Sequence, residues 1–154
     1  MEKHAKAISI LTLLLLITML AFPKPVSACW RTGCRGIDPN NSTDSSGRTC
    51  AQTALTVTGS GSQSGTNGTV MTELRWSSGC QSNWARGTVT SSNSNSKCLR
   101  AKVSENSTSW YEYYDISGNP IPAYSSAYSN MVDGDVSKVS TAFAGISSGA
   151  CSGP

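Results

Sequence analysis

The sequence predicts an all-β domain, a small disulfide-stapled antiparallel sandwich or barrel of about six short strands. Three observations carry that expectation. Beyond residue 28 no window sustains a capped helical period. Short runs of period two, rich in β-branched and aromatic residues, recur between Gly, Ser, Asn and Pro punctuation. Six cysteines, Cys29, Cys34, Cys50, Cys80, Cys98 and Cys151, form an even set in a short chain, which reads as a disulfide framework in an oxidising compartment. Six cysteines allow 15 pairings, and spacing alone does not choose among them.

The first 28 residues stand apart. Lys3, His4 and Lys6 make a basic start, and Ala7 to Phe22 is an apolar run shorter than the roughly 20 residues that span a bilayer. Val26-Ser27-Ala28 is a small-residue cleavage site, so residues 1–28 read as a secretory signal peptide. Val26-Ser27-Ala28-Cys29 also has the form of a lipoprotein box that would lipidate Cys29, but Lys24 and its flanking prolines stand where such signals are apolar. Taking 28 residues from 154 leaves 126, which suit one secreted domain over 29–154. Three of the 12 basic residues and one of the 9 acidic ones leave with the peptide, so the mature net charge is +1. That balance gives no footprint for nucleic acid, and no membrane partner is expected after cleavage. His4 is the only histidine. The mature chain therefore lacks an imidazole for Ser-His or Cys-His catalysis and the commonest nitrogen ligand of zinc, and no metal or other cofactor is expected.

The domain opens with a turn-rich segment, Cys29 to Pro39, punctuated by Gly33, Gly36 and Asp38-Pro39, followed by a polar loop from Asn40 to Thr49. Ala54 to Thr58 reads as a strand with Leu55 and Val57 inward, and Gly59 to Thr69, without an apolar residue, as an exposed mobile connection. The chain is organised around a hairpin of Val70 to Ser77 and Asn83 to Thr90. Val70, Thr72, Leu74 and Trp76 share one face of its first strand; Met71, Glu73, Arg75 and Ser77 share the other. If Ser78 to Gln81 is the loop, Glu73 opposes Arg86, Arg75 opposes Trp84, Val70 meets Val89 and Leu74 meets Ala85. The next register would set Arg75 against Arg86, like charges that cost stability. After a polar loop, Ser91 to Lys97, a strand from Cys98 to Val103 turns Leu99, Ala101 and Val103 inward. Trp110 to Ile116 is an aromatic strand closed by Ser117-Gly118-Asn119-Pro120, and Ala123 to Met131 is either extended or a loop. Asp133-Gly134-Asp135 is a turn, Lys138 to Phe143 a last strand with Val139, Thr141 and Phe143 on one face, and Cys151 staples the tail.

Three local patterns lie in register along the first half of the domain: Cys29-x4-Cys34-x-Gly36-x-Asp38-Pro39, Thr49-Cys50, and Glu73-Leu74-Arg75-Trp76-Ser77-x2-Cys80-x3-Trp84-Ala85-Arg86. Together they resemble the YjfA-like family of secreted bacterial proteins, a family of domains of unknown function; similar domains occur in actinobacterial proteins, some behind a helix-turn-helix segment. The resemblance covers Cys29 to Thr90 and implies a bacterial domain of the cell surface or medium, but no activity. Because Cys29, Cys34, Cys50 and Cys80 share the matched region, it also implies that they pair among themselves and leave Cys98 to Cys151.

Glu73, Arg75 and Arg86 have the composition of a catalytic acid with two anion-holding cations. Without a histidine or a basic surface, the simpler expectation is a ladder of cross-strand charges on the solvent face, with Arg75 over Trp84 as a cation–π contact. Trp110, Tyr111 and Tyr113, with Tyr114, Tyr124 and Tyr128, suit a stacking platform for sugar rings, although alternation places one side of that strand in the core. Asp115, Asp133 and Asp135 lack the ligand set of a calcium loop, and Asn40, Asn41, Asn67 and Asn106, in Asn-x-Ser/Thr sequons, read as polar loops. The functional expectation is a non-enzymatic binding domain, with Glu73, Arg75, Trp84, Arg86, Trp110, Tyr111 and Tyr113 as its binding residues. Its expected partner is a cell-wall polysaccharide or another extracellular protein. The alternatives are an exported hydrolase or toxin-like enzyme using Glu73 with Arg75 and Arg86, and a structural or matrix protein.

Overall fold

The computed structural model describes residues 28–57, 60–107 and 109–151, with the backbone alone over 109–115. The expected signal peptide lies outside the described residues except for Ala28, which bridges Thr43. After a 3-10 turn at Arg31–Cys34 come nine strands: β1 Ala54–Thr56, β2 Gly61–Gly65, β3 Gly68–Ser77, β4 Ser82–Ser92, β5 Cys98–Glu105, β6 Ser109–Ser117, β7 Ser126–Tyr128, β8 Val132–Asp133 and β9 Ser140–Ser147. All pair antiparallel. One sheet runs β1-β3-β4-β7, with β2 also on β3 and β8 also on β4; the other runs β6-β5-β9. Neither closes on itself, so the architecture is an open two-sheet sandwich rather than a barrel.

The central hairpin has the expected register: Val70 opposes Val89, Glu73 opposes Arg86, Leu74 opposes Ala85 and Arg75 opposes Trp84. Its loop closes with the Gln81 amide donating to the Ser77 carbonyl at 2.8 Å and the Cys80 amide to the Ser77 hydroxyl at 3.0 Å. Because opposed residues share a face, the inward side of the hairpin presents Val70, Ala85 and Val89 to Leu99, Ala101, Val103 and Ala144 of the second sheet, a single buried cluster completed by Ile121, Ala127 and Val132. The sheets lie close at Gly87, where a Cβ would stand 2.5 Å from the Ala144 Cβ. Glycine here is a matter of space between backbones.

A second buried cluster sits on the opposite side of the hairpin, at its tip. Cys29, Cys34, Cys50 and Cys80 pack there with Trp84 and Met131. Disulfides join Cys29 to Cys34, Cys50 to Cys80 and Cys98 to Cys151, the partition that the family resemblance implied. The Cys50–Cys80 bridge ties the hairpin tip to the irregular N-terminal segment, which the Arg31 amide also joins by donating to the Cys80 carbonyl at 2.8 Å.

Several sequence expectations are corrected. Among the described residues there are nine strands, because β2 forms inside the segment expected to be a mobile connection and two very short strands, β7 and β8, line the free edge of β4. β2 is exposed throughout and is held by backbone pairing to β3. Leu55 is 65% exposed rather than inward, since β1 lies on the β3 edge, and β3 and β4 are the strands of that sheet that pack against β9. The last strand starts later and has the opposite phase: Ala142, Ala144 and Ile146 pack inward, and Phe143 is 43% exposed. With the sheets as close as they are at Gly87, only the small-residue face of β9 fits between them.

Gly87→Ala is expected to lower stability by about 1–3 kcal/mol through overpacking. Gly33→Ala, whose added Cβ meets nothing within 4 Å, is the control and stays within about 0.5 kcal/mol. Urea unfolding of both variants, with disulfides intact, makes the comparison.

Candidate binding site

The outward face of the hairpin, beyond the disulfide cluster, carries the charged residues. Four strands contribute to two adjacent rows on one face: in one, Thr56 of β1 opposes Arg75 of β3, which opposes Trp84 of β4; in the other, Glu73 of β3 opposes Arg86 of β4, which opposes Tyr128 of β7. The Glu73 carboxylate accepts the Arg86 Nε–H on one oxygen and the Thr56 hydroxyl, at 2.7 Å, on the other. Arg75 donates to that same Thr56 hydroxyl and, at 3.1 Å, to the Ala54 carbonyl, while its guanidinium stands 3.8 Å from Glu73. This is not the solvent-face ladder the sequence suggested. Glu73 is only 5% exposed, because β1 and β7 flank the hairpin and bring Thr56 and Tyr128 to it.

Burial by itself raises the Glu73 pKa, but the hydrogen bonds from Arg86 and Thr56 and the charges of Arg86 and Arg75 outweigh it, and the carboxyl titrates below its ordinary range. The Arg86 pKa is raised, first by its hydrogen bond to Glu73, with the Tyr128 phenol adding support. The Arg75 pKa is lowered, first by burial and then by the neighbouring Arg86 charge, which Glu73 only partly offsets.

Glu73, Arg75 and Arg86 are thus brought together as the sequence implied. Trp84 lies on the same face but is removed from the candidate binding set: it is 1% exposed, packed with the disulfides and Met131, and offers no surface to a ligand. Trp110, Tyr111 and Tyr113 lie on β6, opposite Ser104, Val103 and Ala101, and their side chains lie outside the described residues. Thr56 and Tyr128 are members that sequence reasoning did not join to these rows. The signal for Thr56 was present in the alternation of β1, which sets Thr56 on the face opposite Leu55; nothing local in the sequence marks Tyr128 as the neighbour of Arg86.

A second ionic cluster pins the N-terminal segment to both sheets. Arg35 holds Glu105 of β5 at 2.7 Å, and Lys138 holds Glu105 at 2.8 Å and Asp133 at 2.9 Å. Arg31 pairs with Asp133 and Asp135. Asp133 and Asp135 therefore face cations; Asp133 ends β8 and accepts from the Asp135 amide on its side chain, and the backbone turn follows, with the Lys138 amide donating to the Asp135 carbonyl, rather than at 133–135 as expected. Glu105 and Asp133 titrate below their ordinary values: burial raises each, and the hydrogen bonds and charges of Lys138 and of Arg35 or Arg31 outweigh it. The four sulfurs of the N-terminal disulfides lie within 4.8 Å of one another. Paired as disulfides they are not thiolates, the form that ligates metal.

No protein family, curated protein or solved structure compared with the chain matches it.

The carboxylates of both clusters set the acid limit of the fold. Each binds protons less readily folded than unfolded, so its stabilisation is complete above the unfolded value, 4.5 for glutamate, and is lost as pH falls through the lowered folded value. The melting temperature should be level above that range and drop steeply below it. Glu73→Gln and Glu105→Gln should each be less stable at neutral pH and show a shallower drop, read by calorimetry across pH 2 to 7.

Proposed function

We propose that the protein is an exported, non-enzymatic binding domain that acts at the bacterial cell envelope or in the medium, as the resemblance to the YjfA-like family would imply. Three disulfides are compatible with an extracellular location. The ligand surface is the outer face of the larger sheet around Arg75, Arg86 and Tyr128.

The observation that carries this reading is the state of Glu73. A hydrolase needs a carboxyl poised to exchange protons near working pH. Glu73 is buried, hydrogen-bonded on both oxygens and shifted the other way, so its role is to hold Arg86 and, through Thr56, to position Arg75. A depression of about 290 Å³ on the outer side of the smaller sheet, lined by Arg100, Phe143, Gly145, Ile146 and Ser147, brings in no carboxylate among the described residues. The alternation of the hairpin places a fixed cationic pair beside a tyrosine, an arrangement suited to holding a polymer.

The mature chain should be retained by purified cell-wall sacculi and should show no turnover of glycans, peptides or RNA. Arg86→Ala should weaken retention several-fold at unchanged near-UV circular dichroism. Turnover abolished by Glu73→Gln in a folded protein would make this an enzyme instead.

A further inference from the structure

We propose that Arg75 and Arg86 together bind one oxyanion group, a carboxylate or phosphodiester carried by an extracellular polymer; this rests on the binding reading above and names its ligand chemistry. The starting point is a charge imbalance. In the cluster at the N-terminal segment three cations, Arg31, Arg35 and Lys138, meet three carboxylates, Glu105, Asp133 and Asp135. Arg48 meets Asp44 one to one. On the hairpin, two guanidiniums share a single carboxylate: among the described residues Glu73 is the only carboxylate that acts on either, and Tyr128, the other group that supports them, is a neutral phenol at neutral pH. One positive charge is left over in a half-buried place.

That excess is costly where it stands. Arg86 disfavours the charged form of Arg75, and water is partly excluded from both, their side chains being 15% and 28% exposed. A bound anion would relieve both terms.

The donors are also prepared. Glu73 takes the Nε–H of Arg86, the Tyr128 hydroxyl accepts from Arg86 as well, and Thr56 and Ala54 take one terminal nitrogen each of Arg75. A guanidinium carries five N–H donors in a rigid fork. Those that Glu73, Tyr128, Thr56 and Ala54 do not take are the ones that can grip two oxygens of a carboxylate or phosphate. Because Glu73 and Thr56 hold the forks in place before any ligand arrives, little side-chain entropy is lost on binding. Beside Arg86, Tyr128 offers a flat apolar face with a polar edge, and Thr88 and Ser126 form a hydroxyl pair at 2.9 Å. That combination fits a charged saccharide or polyol chain better than a bare ion.

The test measures binding of the mature, disulfide-intact chain to poly(glycerol phosphate), to oligogalacturonate and to uncharged dextran, beside sacculi. Binding to at least one charged polymer is expected, weakened about tenfold by Arg75→Gln through loss of charge-assisted hydrogen bonds. It should also weaken as salt rises from about 0.05 to 0.5 M. The preferred charged polymer tells phosphodiester from carboxylate. Arg48→Gln, which removes a cation outside the Arg75–Arg86 cluster, should leave binding unchanged, whereas a general effect of net charge or damage to the fold would weaken both variants alike. Arg75→Lys should be intermediate, retaining the charge without the fork. Binding to sacculi or dextran that ignores Arg75→Gln and salt would overturn the oxyanion inference and leave the binding reading intact. No binding to sacculi or to any of the polymers would overturn both.

Discussion

The structure depends on the register of its central hairpin, and that register is decided by where one carboxylate goes. A slip of one residue would move every side chain of β3 to the other face, placing Glu73 against Leu99 and Val103 and the hydrophobic side of the strand against Thr56 and Tyr128. Of the two neighbouring pairings that keep the faces, one would set Arg75 against Arg86, like charges, and the other would set Glu73 against Trp84 and away from any cation opposite it. Only the observed register lets Glu73 meet Arg86 while Val70, Ala85 and Val89 meet the second sheet. The same choice that builds the core therefore assembles the cationic rows on the other side, and the two cannot be altered separately.

The distance between the sheets is a second constraint, and it explains an orientation that sequence periodicity leaves open. Alternation in β9 is compatible with either phase, one with Phe143 inward and one with Ala142, Ala144 and Ile146 inward. A larger side chain normally favours burial. Here the backbone of β4 approaches β9 so closely at Gly87 that an alanine methyl fills the gap, and the phenyl ring is turned out. Glycine and alanine in separate strands record that contact, but neither signals it alone.

Those two cases show what was legible. Charge complementarity across a short loop was enough to read the hairpin, and clean alternation from Cys98 to Val103 was enough to orient β5. Three features could not be read. β2 has no apolar residue, so its strand character comes from hydrogen bonds to β3 that leave no hydropathy pattern. Leu55 has the composition of a core residue, but in its strand it is Ala54 that packs, against the disulfide cluster, while Leu55 is exposed. The burial of Glu73 and Trp84 is produced by partners distant in the chain, an irregular N-terminal segment and a three-residue strand, neither of which has a period. Two of the candidate residues thus change character, one from exposed charge to buried organiser and one from ligand contact to support for the disulfides.

The spacing of the disulfides has a consequence for survival among proteases. A nick in the exposed β2 hairpin falls between Cys50 and Cys80, and one anywhere from residue 99 to 150 falls between Cys98 and Cys151; either leaves the fragments covalently joined. A single cut can part the described chain only at 35–49 or 81–97. Most of the second interval is β4, in the middle of its sheet. Its loop beyond β4 is fastened by Asn93 to the Thr66 carbonyl at 2.6 Å and by Ser96, through its carbonyl, to the Ile121 amide. In the first interval Asp44 closes its own turn with bonds to the Ser46 and Arg48 amides. Where covalent bonds leave the chain unguarded, hydrogen bonds to the sheet, to neighbouring segments or within a turn already occupy the backbone a protease must grip.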